Sequence, residues 1–370
     1  MNIIISAGGT GGHIFPAVAV ADELKRRDPS VNILFVGAEG KMEMERVPKA
    51  GYAIEGLWIA GLQRRLTLRN LWLNLQLPIK LVSSMLKVRR ILNDFKPDIA
   101  VGFGGFASGP TLRAAANKNI PTILQEQNSY AGVTNKLLAQ KAAKICVAYE
   151  GLDKFFPADK LVLTGNPVRS DILAIKAKRT EGVNYFGLDP HKKTIAILGG
   201  SLGAKTLNVA METSAALIKD QSNVQILWQC GRLYEEDFKN GQAAQLPNVQ
   251  MRPFIDRMDL AYAVADVIVA RAGALTISEL CLAGTPSVLV PSPNVAEDHQ
   301  TKNAMALVNK KAALLVRDVE ASEKMIPTAL ELIANTSLSA DLSQNILSLG
   351  KPNAAKDIAD VILATIQKRT

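Results

Sequence analysis

His13 closes the run Gly8-Gly9-Thr10-Gly11-Gly12-His13, which follows the apolar stretch Ile3-Ile4-Ile5. Glycines at the end of a strand let the chain turn sharply and bring backbone N–H groups close to a ligand. A helix that starts in such a turn aims its N-terminal dipole at an anion. An imidazole at the same place could take a proton from a hydroxyl of whatever the glycines hold. Glu126, in Gln125-Glu126-Gln127-Asn128 after Thr122-Ile123-Leu124, is a second candidate base. Four polar residues there are also compatible with a surface loop, and the sequence leaves the choice of base open.

Further loops share this design. Val101-Gly102-Phe103-Gly104-Gly105-Phe106-Ala107-Ser108-Gly109-Pro110 ends a strand and opens a helix, with Ser108 as the expected N-cap. In the second half, Ile195-Ala196-Ile197-Leu198 leads into Gly199-Gly200-Ser201-Leu202-Gly203. Arg271-Ala272-Gly273-Ala274-Leu275-Thr276-Ile277-Ser278-Glu279 starts a helix with small residues, fit to face a pyrophosphate. Glu279, one turn in, could accept hydrogen bonds from a ribose diol. The stretch around Gln300 is another loop-to-helix junction rich in donors and acceptors. The first loop lacks the third glycine of a dinucleotide fingerprint. Glu39, beyond the second strand, is the acid that a dinucleotide reading would need. No Asp-x-Asp pair and no His/Cys cluster occurs, so a catalytic metal is not indicated, and no cofactor is expected. A pyrophosphate leaving group would then rely on helix N-termini and side-chain donors.

These loops need strands and helices behind them. Strands are expected at 2–7, 31–36, 98–102, 121–125 and 144–148, then at 194–199, 224–229, 266–270, 286–290 and near 312–316. Helices are expected to start near 13, 41, 80, 109, 132, 203, 257, 274 and 299. The alternation predicts an α/β protein with two sequential parallel sheets. The 370 residues, 48% hydrophobic, suffice for two cores. The expected boundaries are 1–166 and 167–351, linked through Thr164-Gly165-Asn166-Pro167-Val168-Arg169, with a last helix at about 353–368 returning to the first domain. Cys146, Cys230 and Cys281 are far apart in apolar contexts and are expected to be reduced structural thiols. The start of the chain shows no leader pattern, which predicts a cytoplasmic protein.

The net charge of +9 is unevenly placed. Residues 1–166 hold 21 Lys and Arg against 13 Asp and Glu, whereas the remainder is nearly balanced. Leu57 to Asn93 contains no acid but carries Arg64, Arg65, Arg69, Lys80, Lys87, Arg89 and Arg90 among Trp58, Leu71, Trp72, Leu75 and other apolar residues. Its longest uncharged run is too short to span a bilayer, which takes about 20 residues. Apolar residues rimmed by cations suit an anionic membrane surface. An ordinary core helix with a solvated basic face is the plainer reading. Nucleic acid is disfavoured, because stacking aromatics are few.

The ordered set of motifs resembles the MurG-type UDP-N-acetylglucosamine transferases of peptidoglycan synthesis, over essentially the whole chain. It comprises Gly8–His13, Gly104-Gly105 through Ser108-Gly109-Pro110, Glu126-Gln127-Asn128, Gly165-Asn166-Pro167-Val168-Arg169, Gly199-Gly200-Ser201, and Arg271 through Glu279. The resemblance implies the GT-B fold, two Rossmann-like domains facing a central cleft. It implies transfer of N-acetylglucosamine (GlcNAc) from UDP-GlcNAc to the C4 hydroxyl of the muramyl sugar of lipid I, giving lipid II, with inversion and no metal at the reaction centre. Thr10, Gly11 and Gly12 are then expected near the donor phosphate and sugar, and Asn128 on the sugar. Arg169 and Ser201 are expected toward the phosphates and the backbone of Ile255 on uracil. Ala274, Leu275, Thr276, Ile277 and Ser278 form the helix start, Glu279 binds ribose, and Gln300 lies near the sugar hydroxyls. Gly104, Gly105 and Ser108 belong to the acceptor loop. Arg64, Arg65, Arg69, Leu71, Trp72, Leu75 and Lys80 are expected to meet the cytoplasmic face of the inner membrane, where other cell-wall synthesis proteins are conceivable partners. Phe106 and Leu202 depart from the family, which commonly has Tyr and Gln there. A UDP-GlcNAc 2-epimerase and a non-catalytic nucleotide-sugar-binding protein are the competing classes.

Overall fold

Short runs of Ile, Val and Leu become thirteen strands among the described residues, every one paired in parallel. The computed structural model describes residues 1–61, 67, 72, 74–200 and 202–368. Arg64, Arg65, Arg69, Leu71 and Ser201 therefore lie outside the described residues. The chain divides into two compact units, one of residues 1–168 with the stretch from Asn353 onward, the other Arg169–Pro352.

In the first unit, β1 (Asn2–Ser6), β2 (Asn32–Ala38), β3 (Ala53–Leu57), β4 (Ile99–Gly102), β5 (Thr122–Glu126), β6 (Lys144–Val147) and β7 (Leu161–Leu163) form one sheet in the order β3-β2-β1-β4-β5-β6-β7. Ile3, Ile4 and Ile5 are all fully buried, as expected for a parallel strand covered on both faces. Strand order reverses at β1, whose Ile5 pairs with Phe35 on one side and Val101 on the other. Open α/β sheets bind ligands outside the carboxyl ends of their strands at such a reversal. The loops that follow β1 and β4 occupy that place.

The second unit repeats the plan. Strands β8 (Lys193–Leu198), β9 (Val224–Gln229), β10 (Val249–Arg252), β11 (Val267–Ala270), β12 (Ser287–Leu289) and β13 (Leu314–Leu315) run in the order β10-β9-β8-β11-β12-β13. Here the reversal lies at β8, so Gly199, Gly200 and Gly203 and the start of the helix Ala274–Ala283 take the equivalent positions.

The helix Ala354–Gln367 packs on the helix Gly11–Arg27, placing Ile358, Ala359 and Ile362 in one core with Ile3, Ile5 and Ile14. Arg27 pairs with Asp360 and donates to Lys356 O at 3.1 Å. All three cysteines are buried and unbridged, and burial pushes the thiols of Cys146 and Cys281 up to about 12. Pro78 sits in the first turn of the helix Leu77–Phe95, where a missing N–H costs nothing.

Candidate active site

The first glycine loop is fixed by its backbone. Gly9 has φ of 84°, a left-handed conformation that glycine adopts without penalty. Thr10 then enters the helix, its carbonyl accepting from His13 N at 3.1 Å. The first-turn amides of Gly11 and Gly12 have no intrahelical acceptor, the usual condition of an anion-binding helix start. Thr10 is exposed and Gly11, Gly12 and His13 are half-buried, so a ligand can reach them. His13 Nδ1 lies 2.8 Å from Gly8 O and 3.4 Å from Thr10 Oγ1. A carbonyl only accepts, so Nδ1 carries the proton in the shorter contact.

The loop after β4 presses against the first. A Cβ on Gly104 would come within 2.9 Å of the His13 ring, and one on Gly105 within 2.4 Å of Gly8 O. Both glycines have positive φ, so these positions are closed to other residues twice over. Ser108 is not the N-cap expected of it. It lies inside the helix Ser108–Asn117 and is 1% exposed, and its hydroxyl donates to Ser6 O at 3.0 Å and Gly104 O at 2.8 Å. It ties the two loops together.

Glu126 is buried, and its carboxylate is engaged by the loop it heads. Asn128 N and Nδ2 donate to Oε1 at 3.1 and 3.3 Å, while Gly132 N and Asn135 Nδ2 donate to Oε2 at 2.9 and 2.8 Å. Gln125 and Gln127 are buried as well, linked through Asn166. The polar run that ends β5 is therefore an internal brace for the loop that carries Asn128.

In the second unit Glu279 is mostly buried. It accepts from Tyr262 OH at 2.8 Å and lies 3.7 Å from Arg169 Nη2. Burial raises its carboxyl above the ordinary range, opposed by Arg169 and the Tyr262 hydrogen bond. The helix Ala274–Ala283 begins after Gly273 with no side-chain cap. Ala274, Leu275 and Thr276 are half-buried there, Ile277 faces the core, and Ser278 donates to Ala274 O at 3.0 Å. Gly203 has φ of 85°, and a Cβ there would meet Cys230 O at 2.2 Å. Gln300 accepts from Ser292 N at 2.8 Å and thereby holds the loop before its helix. Glu297 and Asp298 in that loop both have positive φ, a strained conformation for residues with side chains. Ile255 is buried between β10 and the helix Met258–Val264. Leu202 is exposed.

The acid-free segment divides by face. On the helix Leu77–Phe95, Ile79, Val82 and Leu86 are exposed at spacings of three and four, hence on one side. Trp58, Trp72 and Leu75 are exposed too. Lys80 departs from its expected place at a lipid surface. It is only 9% exposed, with its ammonium 5.3 Å from the centre of the Trp58 ring. No helix among the described residues is long and apolar enough to cross a membrane.

Sequence reasoning missed four residues at these sites. Glu39, the acid weighed for a ribose, is a surface residue 3.5 Å from Lys87. Glu43 is the acid that reaches the glycine loop: it is fully buried and accepts from Gly9 N at 2.9 Å and Ala38 N at 3.0 Å. Asn135, Tyr262 and Asp318 were also passed over. Asp318 pairs with Arg271 and accepts from Thr206 Oγ1 at 3.2 Å. A glutamate between Met42 and Met44, at the start of the helix Glu43–Lys49, was the available signal for Glu43.

Both halves match models of glycosyltransferase family 28, its N-terminal domain over residues 3–147 and its C-terminal domain over 194–362. A protein of Bacteroides fragilis is 54% identical over 370 residues, covering 100% of this chain and 96% of its own length. A protein of Flavobacterium psychrophilum is 53% identical over 368 residues, covering 100% and 98%. Both are named UDP-N-acetylglucosamine–N-acetylmuramyl-(pentapeptide) pyrophosphoryl-undecaprenol N-acetylglucosamine transferase. The crystal structure of Acinetobacter baumannii MurG superposes with a TM-score of 0.79 at 30% identity, covering 98% of this chain and 99% of its own. A UDP-GlcNAc 2-epimerase from Neisseria meningitidis reaches 0.68 at 16% identity, over 98% and 100%, a likeness of fold alone. With two parallel-sheet domains of the GT-B kind and such identity along its full length, the chain belongs to the MurG-type UDP-N-acetylglucosamine transferases of glycosyltransferase family 28.

Proposed function

We infer that the protein transfers GlcNAc from UDP-GlcNAc to the muramyl sugar of lipid I, forming lipid II. The full-length identity to relatives named for that reaction carries the reading. The epimerase and the non-catalytic alternatives have no comparable support. Incubation of labelled UDP-GlcNAc with a short-chain lipid I analogue tests it: a disaccharide-lipid product is expected, and free sugar isomerisation without that product would refute it.

The roles divide between donor and acceptor. For the donor, the start of the helix Ala274–Ala283 offers amides to the pyrophosphate, and Arg169, 3.7 Å from Glu279 of that helix, is the cation assigned to it. Glu279 accepts from the ribose hydroxyls. Ile255 is assigned to uracil, Ser201 to the phosphates and Gln300 to the sugar. For the acceptor, His13 serves as the base that removes the proton from the C4 hydroxyl. That oxygen attacks the anomeric carbon, the bond to UDP breaks, and the configuration inverts. Glu126 supplies positioning, because four donors already engage its carboxylate. Thr10, Gly11, Gly12 and Asn128 are assigned to the donor phosphate and sugar, with Gly104 and Gly105 shaping the acceptor loop.

The acceptor's lipid keeps it in a bilayer, so the enzyme works at the membrane surface. The exposed Trp72, Leu75, Ile79, Val82 and Leu86 support insertion into the interface. Arg89 and Arg90 are exposed on the same helix and supply charge toward anionic headgroups. The family's lipid-linked substrate supports assigning this surface to the cytoplasmic face of the inner membrane.

A further inference from the structure

We propose that Glu43 acts on His13 through the Gly8–Gly9 peptide, as a positioning residue that fixes the ring's tautomer and strengthens it as a base. The proposal deepens the reading of His13 as base and rests on it. One peptide unit carries both contacts. Its N–H, on Gly9, donates to Glu43 Oε2 at 2.9 Å, and its C=O, on Gly8, accepts from His13 Nδ1 at 2.8 Å. A carboxylate on the N–H side polarises the amide and makes the carbonyl a better acceptor, since hydrogen bonds in a chain reinforce one another. The carbonyl then holds the proton on Nδ1 and leaves Nε2 as the basic nitrogen, the logic of a histidine oriented by its second nitrogen. The peptide takes the place that a directly bonded carboxylate holds in a Ser-His-Asp triad.

The surroundings are shaped for this chain of contacts. A Cβ on Gly8 would come 2.1 Å from Glu43 Oε1, and one on Gly37 would come 2.5 Å from Glu43 Cγ. Two glycines therefore leave the room through which the Glu43 side chain reaches the loop. Its other oxygen accepts from Ala38 N, so the carboxylate is held at the end of β2. On the far side Gly104 lies against the His13 ring, and Gly105 against Gly8 O. A buried acid with this much space made for it does more than fill a core.

The wild-type protein provides the first test. His13 is one of three histidines, so His13→Gln assigns its ring signals in two-bond 1H–15N spectra. The neutral ring should be the Nδ1–H tautomer, and an Nε2–H ring overturns the proposal whether or not any variant folds. Glu43→Gln removes the charge while keeping the side chain's size. Its Nδ1–H proton signal should move upfield and the Nε2–H tautomer should appear. Its kcat should fall by about tenfold, with a smaller change in KM for UDP-GlcNAc. Unaltered His13 signals in Glu43→Gln, however far activity falls, would leave Glu43 a purely structural residue. Turnover retained in His13→Gln defeats the base assignment itself. An Nε2–H ring in an enzyme that His13→Gln inactivates defeats only the relay.

Discussion

Tyr262 donates its hydroxyl to Glu279 at 2.8 Å from a fully buried ring. The contact fixes one carboxylate oxygen and favours the ionised form against the burial that raises it. A ribose diol would then find an oriented, charged acceptor. Glu279→Ala should weaken UDP and UDP-GlcNAc together by about 10- to 100-fold, since each charge-assisted bond is worth roughly 1.5–3 kcal/mol. Calorimetry with UDP reads this directly, and unchanged affinity would remove Glu279 from the ribose.

Tyr262→Phe gives the pH dependence. Losing the donor lets burial raise the Glu279 carboxyl further, so protonation begins at higher pH. Affinity for UDP should fall on acidification in both proteins, and the fall should start at higher pH in the variant. Superimposable affinity–pH curves would show that the tyrosine does not tune the carboxyl.

His13→Ala and Glu126→Gln should differ in kind. The first should lower kcat by about 10²–10⁴-fold while leaving UDP affinity near wild type. The second frees donors on Asn128, Gly132 and Asn135 and should act through the loop, raising KM for the donor and lowering the melting temperature. If Glu126→Gln lost turnover with unchanged KM and stability, the base assignment would pass to Glu126.

Most strands were legible in the sequence because buried parallel strands are continuous apolar runs bounded by glycine. Those it missed, β3, β7 and β10, are all at sheet edges. Edge strands are covered less completely, so Ala53-Ile54-Glu55-Gly56-Leu57 and Val249-Gln250-Met251-Arg252 carry polar residues that hide the pattern. The helices Ala321–Ala334 and Thr336–Ser348 were also missed, lacking a glycine loop to announce them. The glycine loops were legible as sharp turns at strand ends because glycine is demanded by backbone geometry. What stands behind them was not: Glu43 meets Gly9 from 34 residues away, and only the pairing of β1 with β2 brings them together.

The helix Gly11–Arg27, on which the returning helix packs, should matter for acid stability. Glu23 is held down to about 2 from an ordinary 4.5, chiefly by the Arg26 hydrogen bond, with burial opposing and Arg27 assisting. A depressed carboxylate stabilises the fold above its unfolded value, and that share is lost as pH falls through the window from 4.5 to about 2. Arg26 is largely exposed, so the share is about 1–2 kcal/mol. Glu23→Gln should lower the melting temperature at pH 7 and flatten its decline below pH 4.5. Ending the chain at Pro352 should destabilise the first unit more than Glu23→Gln does, because it uncovers the core lined by Ile3, Ile5 and Ile14.

Membrane attachment should depend on the exposed stripe of the helix Leu77–Phe95. Ile79, Val82 and Leu86 are 64%, 61% and 59% exposed, so nothing in the described fold is lost when they change. A triple substitution to Glu puts three anions where acyl chains and anionic headgroups would be. Each cation near such a surface contributes on the order of 1 kcal/mol, so reversing the sign of the local charge is costly. The triple variant should fail to sediment with vesicles containing phosphatidylglycerol, while keeping its melting temperature and its activity on a water-soluble acceptor. Wild-type binding should weaken with salt and with loss of anionic lipid, because exposed charges are screened over about 8–10 Å. Lys80→Ala is the contrast: its ammonium lies over Trp58 and away from solvent, so it should lower stability and leave the salt dependence unchanged. If the triple Glu variant sediments like wild type, another face meets the membrane, and the stripe should be examined as a contact with protein.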